Sequence, residues 1–193
     1  FAVELRKTSK PMIVAANKSD QKVAEDNIKR LKESGYKVIP TSAEAELTLR
    51  RASGAGIIKY RPGDGDFELL KPDVLTAGQR RGLELIKERV LKRWGSTGVQ
   101  DILNIAFFSL LNSILVYPVE DAEKLTDHAG RVLPDVYLVK KGLTAKEFAG
   151  LIHADLRESF IYAIDARTKR RLGENYAVQD NDVIQIVAAK ARK

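Results

Sequence analysis

The sequence predicts an α/β chain in two parts: a doubly wound α/β part, then a small α+β roll. Three observations carry this expectation. A strand–helix–strand pattern over residues 12–43 places polar turns after both strands. Two long helical patterns follow between residues 76 and 111, one strongly basic and one almost wholly apolar. From residue 113 the pattern changes to two short strands, one helix and further short strands.

Met12-Ile13-Val14-Ala15-Ala16 is a continuous apolar run, as expected of a strand covered on both faces. It ends at Asn17-Lys18-Ser19-Asp20, where a helix is expected. Ser19 or Asp20 would cap it, Ala24, Ile28 and Leu31 form its inward stripe, and Gly35 stops it. Tyr36 to Pro40 reads as a second strand leading into Thr41-Ser42-Ala43. Ligands of doubly wound sheets bind at the carboxyl ends of strands, so both turns are candidate site positions. Glycines at 54, 56, 63 and 65 mark loops. Residues 76–94 then predict an amphipathic helix with Leu83, Ile86, Val90 and Trp94 on one face. Arg80, Arg81, Lys87, Arg89, Lys92 and Arg93 make the opposite face basic. Gly95-Ser96-Thr97-Gly98 breaks this helix, and residues 99–111 are apolar on nearly every side, which predicts a buried helix.

The domain boundary is placed between residues 112 and 113. Ile114–Pro118 and Val136–Val139 read as strands, and Thr144 with Glu147 has the spacing of a capping box. The helix it opens would turn Phe148, Leu151, Ile152 and Leu156 inward, with strands at Ile161–Ile164 and Val183–Val187 to follow.

The 193 residues are 44% apolar and 31% charged, as in a globular protein. No apolar run approaches the ~18 residues of a membrane span. The absence of cysteine removes disulfides and thiolate metal sites, and two histidines are too few for a histidine cluster. A cytoplasmic protein with no membrane contact is expected. Phe1 stands where a start methionine would, and Phe1 to Lys10 has the look of a helix end. That pattern gives the expectation of a domain entered part-way. The net charge of +7 favours anionic partners, nucleic acid first. Residues 1–112 carry most of it, with 20 Lys and Arg against 14 Asp and Glu; residues 113–193 hold 13 against 12.

Two places carry chemistry. Guanine presents N1–H and the exocyclic amine as adjacent donors, which one carboxylate accepts together. Asp20 has that chemistry, Asn17 can hydrogen-bond the base and fix the turn, and the stem of Lys18 can lie across the ring. Ser42 and Ala43 would bring a backbone N–H to guanine O6, where a small residue permits close approach. In the second part, Arg167, Lys169, Arg170 and Arg171 fall within five residues, with Lys140 and Lys141 as additions to the same field. Such a loop either contacts phosphates or is a solvated hairpin, and composition alone leaves both open. The basic face of residues 80–93 is a further RNA surface or a solvated helix face. His153 reads as structural, and His128 lies in a polar loop.

Residues 11–20 and 40–49 are similar to the guanine-specificity and Ser-Ala motifs of translation-factor-related GTPases. The stretch from Thr41 to Arg50 resembles archaeal GTP-binding proteins of the Obg superfamily, close to the YchF branch. Gly95 to Gln100 is similar to the turn that opens the last helix of that family's nucleotide domain. Residues 113–193 resemble its TGS domain, a ubiquitin-like β-grasp module, with Leu172 to Ile184 carrying the signature. The resemblance implies the carboxy-terminal part of a P-loop GTPase domain, residues 1–112, followed by the TGS domain. It implies GTP or GDP as ligand, and magnesium held by parts outside this chain. No Gly-x-x-x-x-Gly-Lys-Ser/Thr string occurs here, nor the switch regions that follow it, so no catalytic residue is assigned. Some YchF-branch proteins carry an altered base motif and prefer ATP; the intact Asn17-Lys18-Ser19-Asp20 argues for GTP. Partners implied are the ribosome, rRNA or tRNA, without DNA specificity, and oligomeric state is left open. Three functions are therefore expected in order: a GTPase switch acting on translation, a non-catalytic ribosome- or RNA-binding protein, and a protein adaptor.

Overall fold

The computed structural model describes residues 10 and 12–189. The helix end expected near Phe1 to Lys10 lies almost wholly outside the described residues. The chain divides into two compact units, one ending at Ala106 and one beginning at Phe107. The division falls within a π-helical stretch, Ile105–Leu110. Helical periodicity runs unbroken there, so the sequence places its boundary six residues later.

In the first unit, β1 (Ile13–Ala16) pairs in parallel with β2 (Lys37–Pro40), Ile13 opposite Lys37. The connection is α1 (Ala24–Glu33), which buries Ile28 and is closed by Gly35 at φ +82°. Strand β1 is not covered on both faces as expected: Ile13, Val14 and Ala16 are half-buried and Ala15 is exposed. Nor do Ser19 or Asp20 cap α1. Its N-cap is Val23, with no side-chain hydrogen bond, because residues 19 and 20 are engaged in tertiary contacts.

Helix α2 (Ala43–Gly54) starts directly after the second turn. A hairpin of two-residue strands follows, β3 (Ile58–Lys59) antiparallel to β4 (Glu68–Leu69). Strands this short leave no periodicity to read. Helix α3 (Ala77–Ile86) opens with a capping box of Thr76 and Gln79. It continues through a π-helical turn, Lys87–Leu91, and a last α-turn, Lys92–Trp94, to Gly95 at φ +84°. The wide turn adds a residue and lets the neighbours Val90 and Leu91 both be buried at 1% exposure. Leu49, Ile58, Tyr60, Leu83 and Leu91 form the core of this unit.

The stretch after Gly98 is α4 (Val99–Asn104), continued by Ile105–Leu110. It is not the buried helix expected: Leu103, Phe107, Phe108 and Leu111 are all exposed. A helix apolar all round needs neighbours on every side, and the described residues supply too few.

The second unit is a five-stranded sheet in the order β6-β5-β9-β7-β8. Its strands are β5 (Ser113–Val119), β6 (Tyr137–Lys140), β7 (Phe160–Asp165), β8 (Arg171–Leu172) and β9 (Asp182–Ala188). The first and last of these in sequence, β5 and β9, lie parallel at the centre, and the other pairs are antiparallel. Helix α5 (Ala145–Ile152) packs across one face, and its capping box of Thr144 and Glu147 is complete in both directions. Fully buried Phe148 packs with Ile114, Val116, Val139, Ala163 and Ile184. Its burial contributes about 1.5–3 kcal/mol. Tyr137 meets its ring edge-on at 5.6 Å. Leu151, expected inward, is 54% exposed, because α5 ends at Ile152 and the chain restarts as α6 (Ala154–Glu158).

Candidate functional site

The parallel register of β1 and β2 brings the turns after them side by side, and four hydrogen bonds join them. Thr41 N–H donates to the Ala16 carbonyl and Ser19 N–H to the Thr41 carbonyl, both at 3.0 Å. Ala43 N–H donates to Asn17 Oδ1 at 3.1 Å, and Ser42 Oγ–H to Asp20 Oδ1 at 3.3 Å. Asn17 Oδ1 also accepts from Lys18 N–H at 2.9 Å, which supports Lys18 in its left-handed conformation, φ +63°. All five residues assigned to guanine are therefore gathered at one place. Asp20 Oδ2 has no hydrogen-bond partner among the described residues and keeps its acceptor capacity. The Ala43 N–H is already held by Asn17, so a base using it shares it or displaces it. A cavity of about 600 Å³ adjoins Asp20 and Ser42, walled by Ala45 and Thr48 of α2 and by Leu83 and Ile86 of α3.

A buried polar network supports the second turn. Glu46, 4% exposed, lies one helical turn beyond Ser42 and accepts hydrogen bonds from three side chains. Thr97 Oγ1–H donates at 2.6 Å, Tyr60 Oη–H at 2.7 Å and Arg50 Nε–H at 2.5 Å. Burial alone would raise the Glu46 carboxyl, but bonds from Thr97, Tyr60 and Arg50 outweigh it and hold the group below its ordinary value. Burial, and then the bond to Glu46, push the Tyr60 phenol up to about 12. Ser42 N–H donates to the Thr97 carbonyl at 2.9 Å. Gly98, at φ +76°, lies so close to β2 that a Cβ would sit 1.9 Å from the Pro40 carbonyl oxygen. On the other side, Trp94 Nε1–H donates to the Ser19 carbonyl at 3.0 Å.

Sequence reasoning did not single out Glu46, Tyr60, Trp94 or Thr97 as parts of the site. One signal was available: Trp94 is the only tryptophan and stands at a helix end beside a glycine turn.

The basic residues of the second unit do not form one cluster. Lys140 and Lys141 are at the end of edge strand β6, whereas Arg171 is on β8, the opposite edge. Four strand spacings, about 19 Å, separate the edges, which exceeds the screening length of about 8–10 Å. Lys169 turns back at φ +59° and donates to the Ala122 carbonyl at 2.7 Å, with Glu123 at 3.3 Å. Arg171 lies over the Tyr162 ring at 4.6 Å. Arg167 and Arg170 are exposed and make no ion pair among the described residues. Asp165 shapes this loop by accepting from Arg167 N–H at 2.9 Å and Thr168 Oγ1–H at 2.6 Å. Half of the basic helix face is paired: Lys87 with Asp66, Lys92 with Glu88, and Arg93 with Glu25. His153 caps α6 through Nδ1, and His128 lies 3.2 Å from Glu120. Among the described residues no group of three or more His, Asp or Glu could hold a metal ion. No helix among them is long and apolar enough to cross a membrane.

Residues 15–121, more than half of the chain and inclusive of both turns, match the model of the Obg-like GTPase YGR210-like, G4 motif-containing domain. The chain belongs to this Obg-like GTPase family. Residues 126–188 match the TGS domain, so an Obg-like GTPase segment is followed here by a TGS domain, as expected. An uncharacterized GTP-binding protein of Methanocaldococcus jannaschii is 53% identical over 191 residues, covering 98% of this chain and 48% of the relative. One from Schizosaccharomyces pombe is 32% identical over 151 residues, covering 74% of this chain and 37% of the relative. A crystal structure of a GTP binding protein from Pyrococcus horikoshii OT3 superposes with a TM-score of 0.69 at 45% identity. It covers 97% of this chain and 48% of that one. The chain thus spans less than half of the length of these relatives.

Proposed function

We propose that these residues are the base-reading end of a cytoplasmic GTP-binding switch, joined to a TGS domain that engages ribosomal or transfer RNA. The observation that carries the nucleotide reading is the convergence of the two turns. Among the described residues Asp20 keeps a carboxylate oxygen without a partner, and Asn17 bridges from its own turn to Ala43. In this reading the Asp20 carboxylate accepts N1–H and the exocyclic amine of guanine, and Ala43 N–H meets O6. Phosphate binding, magnesium binding and hydrolysis of GTP to GDP and phosphate belong to segments absent from these 193 residues. GTP orders such segments and hydrolysis releases them.

The test is Asp20→Asn in the whole natural protein, with GTP and XTP affinities measured by competition. An amide cannot accept two donors as a carboxylate does, so the GTP preference is expected to collapse in favour of xanthine. An unchanged preference removes Asp20 from this role. The RNA reading rests on Arg167 and Arg170, exposed cations in a unit whose charge is otherwise close to balanced.

A further inference from the structure

Segment 93–98 touches both base-reading turns, and we infer that Trp94 and Thr97 are positioning residues that fix the spacing of those turns for guanine. The inference rests on the proposed base-reading role of Asn17, Asp20 and Ala43. Trp94 Nε1–H holds the first turn by the Ser19 carbonyl at 3.0 Å. The Thr97 carbonyl holds the second by Ser42 N–H at 2.9 Å.

These two anchors differ in kind from the two direct bonds that use side chains of the base-reading residues. Those bonds involve Asn17 Oδ1 and Asp20 Oδ1, on the side chains that must rearrange when a base arrives. A guanine that takes Ala43 N–H and the Asp20 carboxylate weakens them. The anchors use the Ser19 carbonyl and the Ser42 amide, which the base does not need, so they persist through binding. Both anchors are themselves fixed. Thr97 Oγ1–H is tied to buried Glu46 at 2.6 Å. The guanidinium of Arg93 covers the Trp94 ring at 4.9 Å and pairs with Glu25 at 2.6 Å. Preorganised donors and acceptors of this sort act through geometry, and small displacements cost affinity.

The experiment measures GDP, XDP and ADP affinities of the whole natural protein and three variants. Trp94→Phe keeps an aromatic ring and removes the donor. Thr97→Val keeps the side-chain shape and removes the hydroxyl, while Thr97→Ser restores it. The expected result is a GDP-to-ADP affinity ratio lowered about tenfold in Trp94→Phe and Thr97→Val, the scale of one lost hydrogen bond. Thr97→Ser should stay near wild type, and Ser42 N–H should exchange faster with solvent in Thr97→Val without any nucleotide. Lower melting temperatures with unchanged nucleotide ratios in both variants overturn the inference, leaving a structural role only. Asp20→Asn is the control. If it too leaves guanine preference intact, the base-reading assignment fails, and Ser42 exchange still reports whether Thr97 holds the turn. Should Thr97→Val fail to fold, Trp94→Phe decides alone.

Discussion

Replacing Gly98 with alanine puts a methyl group against the main chain of β2 at the point where the second turn begins. The new Cβ would lie 1.9 Å from the Pro40 carbonyl oxygen and 3.1 Å from Thr41 Cα, both backbone atoms with no rotamer to give way. Relief requires the 95–98 turn to move from β2, which strains the bond from Ser42 N–H to Thr97. The left-handed φ of +76° adds its own penalty for a side chain. Backbone strain of about 1–2 kcal/mol and overpacking of about 1–3 kcal/mol together give roughly 2–5 kcal/mol. At about 4–8 °C per kcal/mol for a domain near this size, the melting temperature should fall by at least about 8 °C. Thermal unfolding followed by tryptophan fluorescence reads this unit specifically, because Trp94 is the sole tryptophan. Gly82→Ala is the control: it lies inside α3 with no atom within 4 Å of the new Cβ. That substitution should stabilise by about 0.4–1 kcal/mol. If Gly98→Ala melts within about 2 °C of wild type, the close approach to Pro40 does not constrain the site.

Glu46 makes stability depend on acid. Its folded-state pKa lies below the ordinary carboxylate value, so its contribution is complete above that value and is lost as pH falls through the folded pKa. Acid unfolding monitored at Trp94 should show this loss, and Glu46→Gln should remove it. Arg167→Ala with Arg170→Ala should weaken binding to purified ribosomes and flatten the salt dependence by about 1.4–1.8 in log–log slope. Equal slopes would move the contact to the Arg81 and Arg89 face of the first unit. The isolated 193-residue polypeptide should neither hydrolyse GTP nor bind it with micromolar affinity. Two charge-assisted hydrogen bonds of about 1.5–3 kcal/mol each are all the base site offers. Calorimetry showing tight binding would mean that the phosphate contacts had been misplaced.

Local signals in the sequence proved sound where the physics is local. The box of Thr144 and Glu147 forms as spaced, because each partner satisfies the other's backbone N–H within one turn. The strands before Asn17 and Thr41 are visible as short apolar runs, and their ends define where the two turns meet. What sequence misread depends on distant partners. Ser19 and Asp20 look like helix caps, yet Ser19 is buried under Trp94 and Asp20 faces Ser42. Glu46 draws no notice in the sequence because its partners Tyr60 and Thr97, 14 and 51 residues away, are invisible to a local window. Arg167 to Arg171 looks like one cationic cluster, but Lys169 folds back on Ala122. Residues 99–111 show that composition states what a helix can bury and says nothing of what is present to cover it.

The π-helical turn at Lys87–Leu91 gives α3 an unequal tolerance to changes in length. A single π turn holds one residue more than the α-helical turn it replaces. Removing exposed Glu88 would therefore let the turn relax to α geometry while Trp94 still faced Ser19. Removing Glu84, within regular helix, would rotate everything after it by about 100° and swing the indole away. One-residue deletions a single turn apart would thus part company, the first sparing the grip on the Ser19 carbonyl and the second abolishing it.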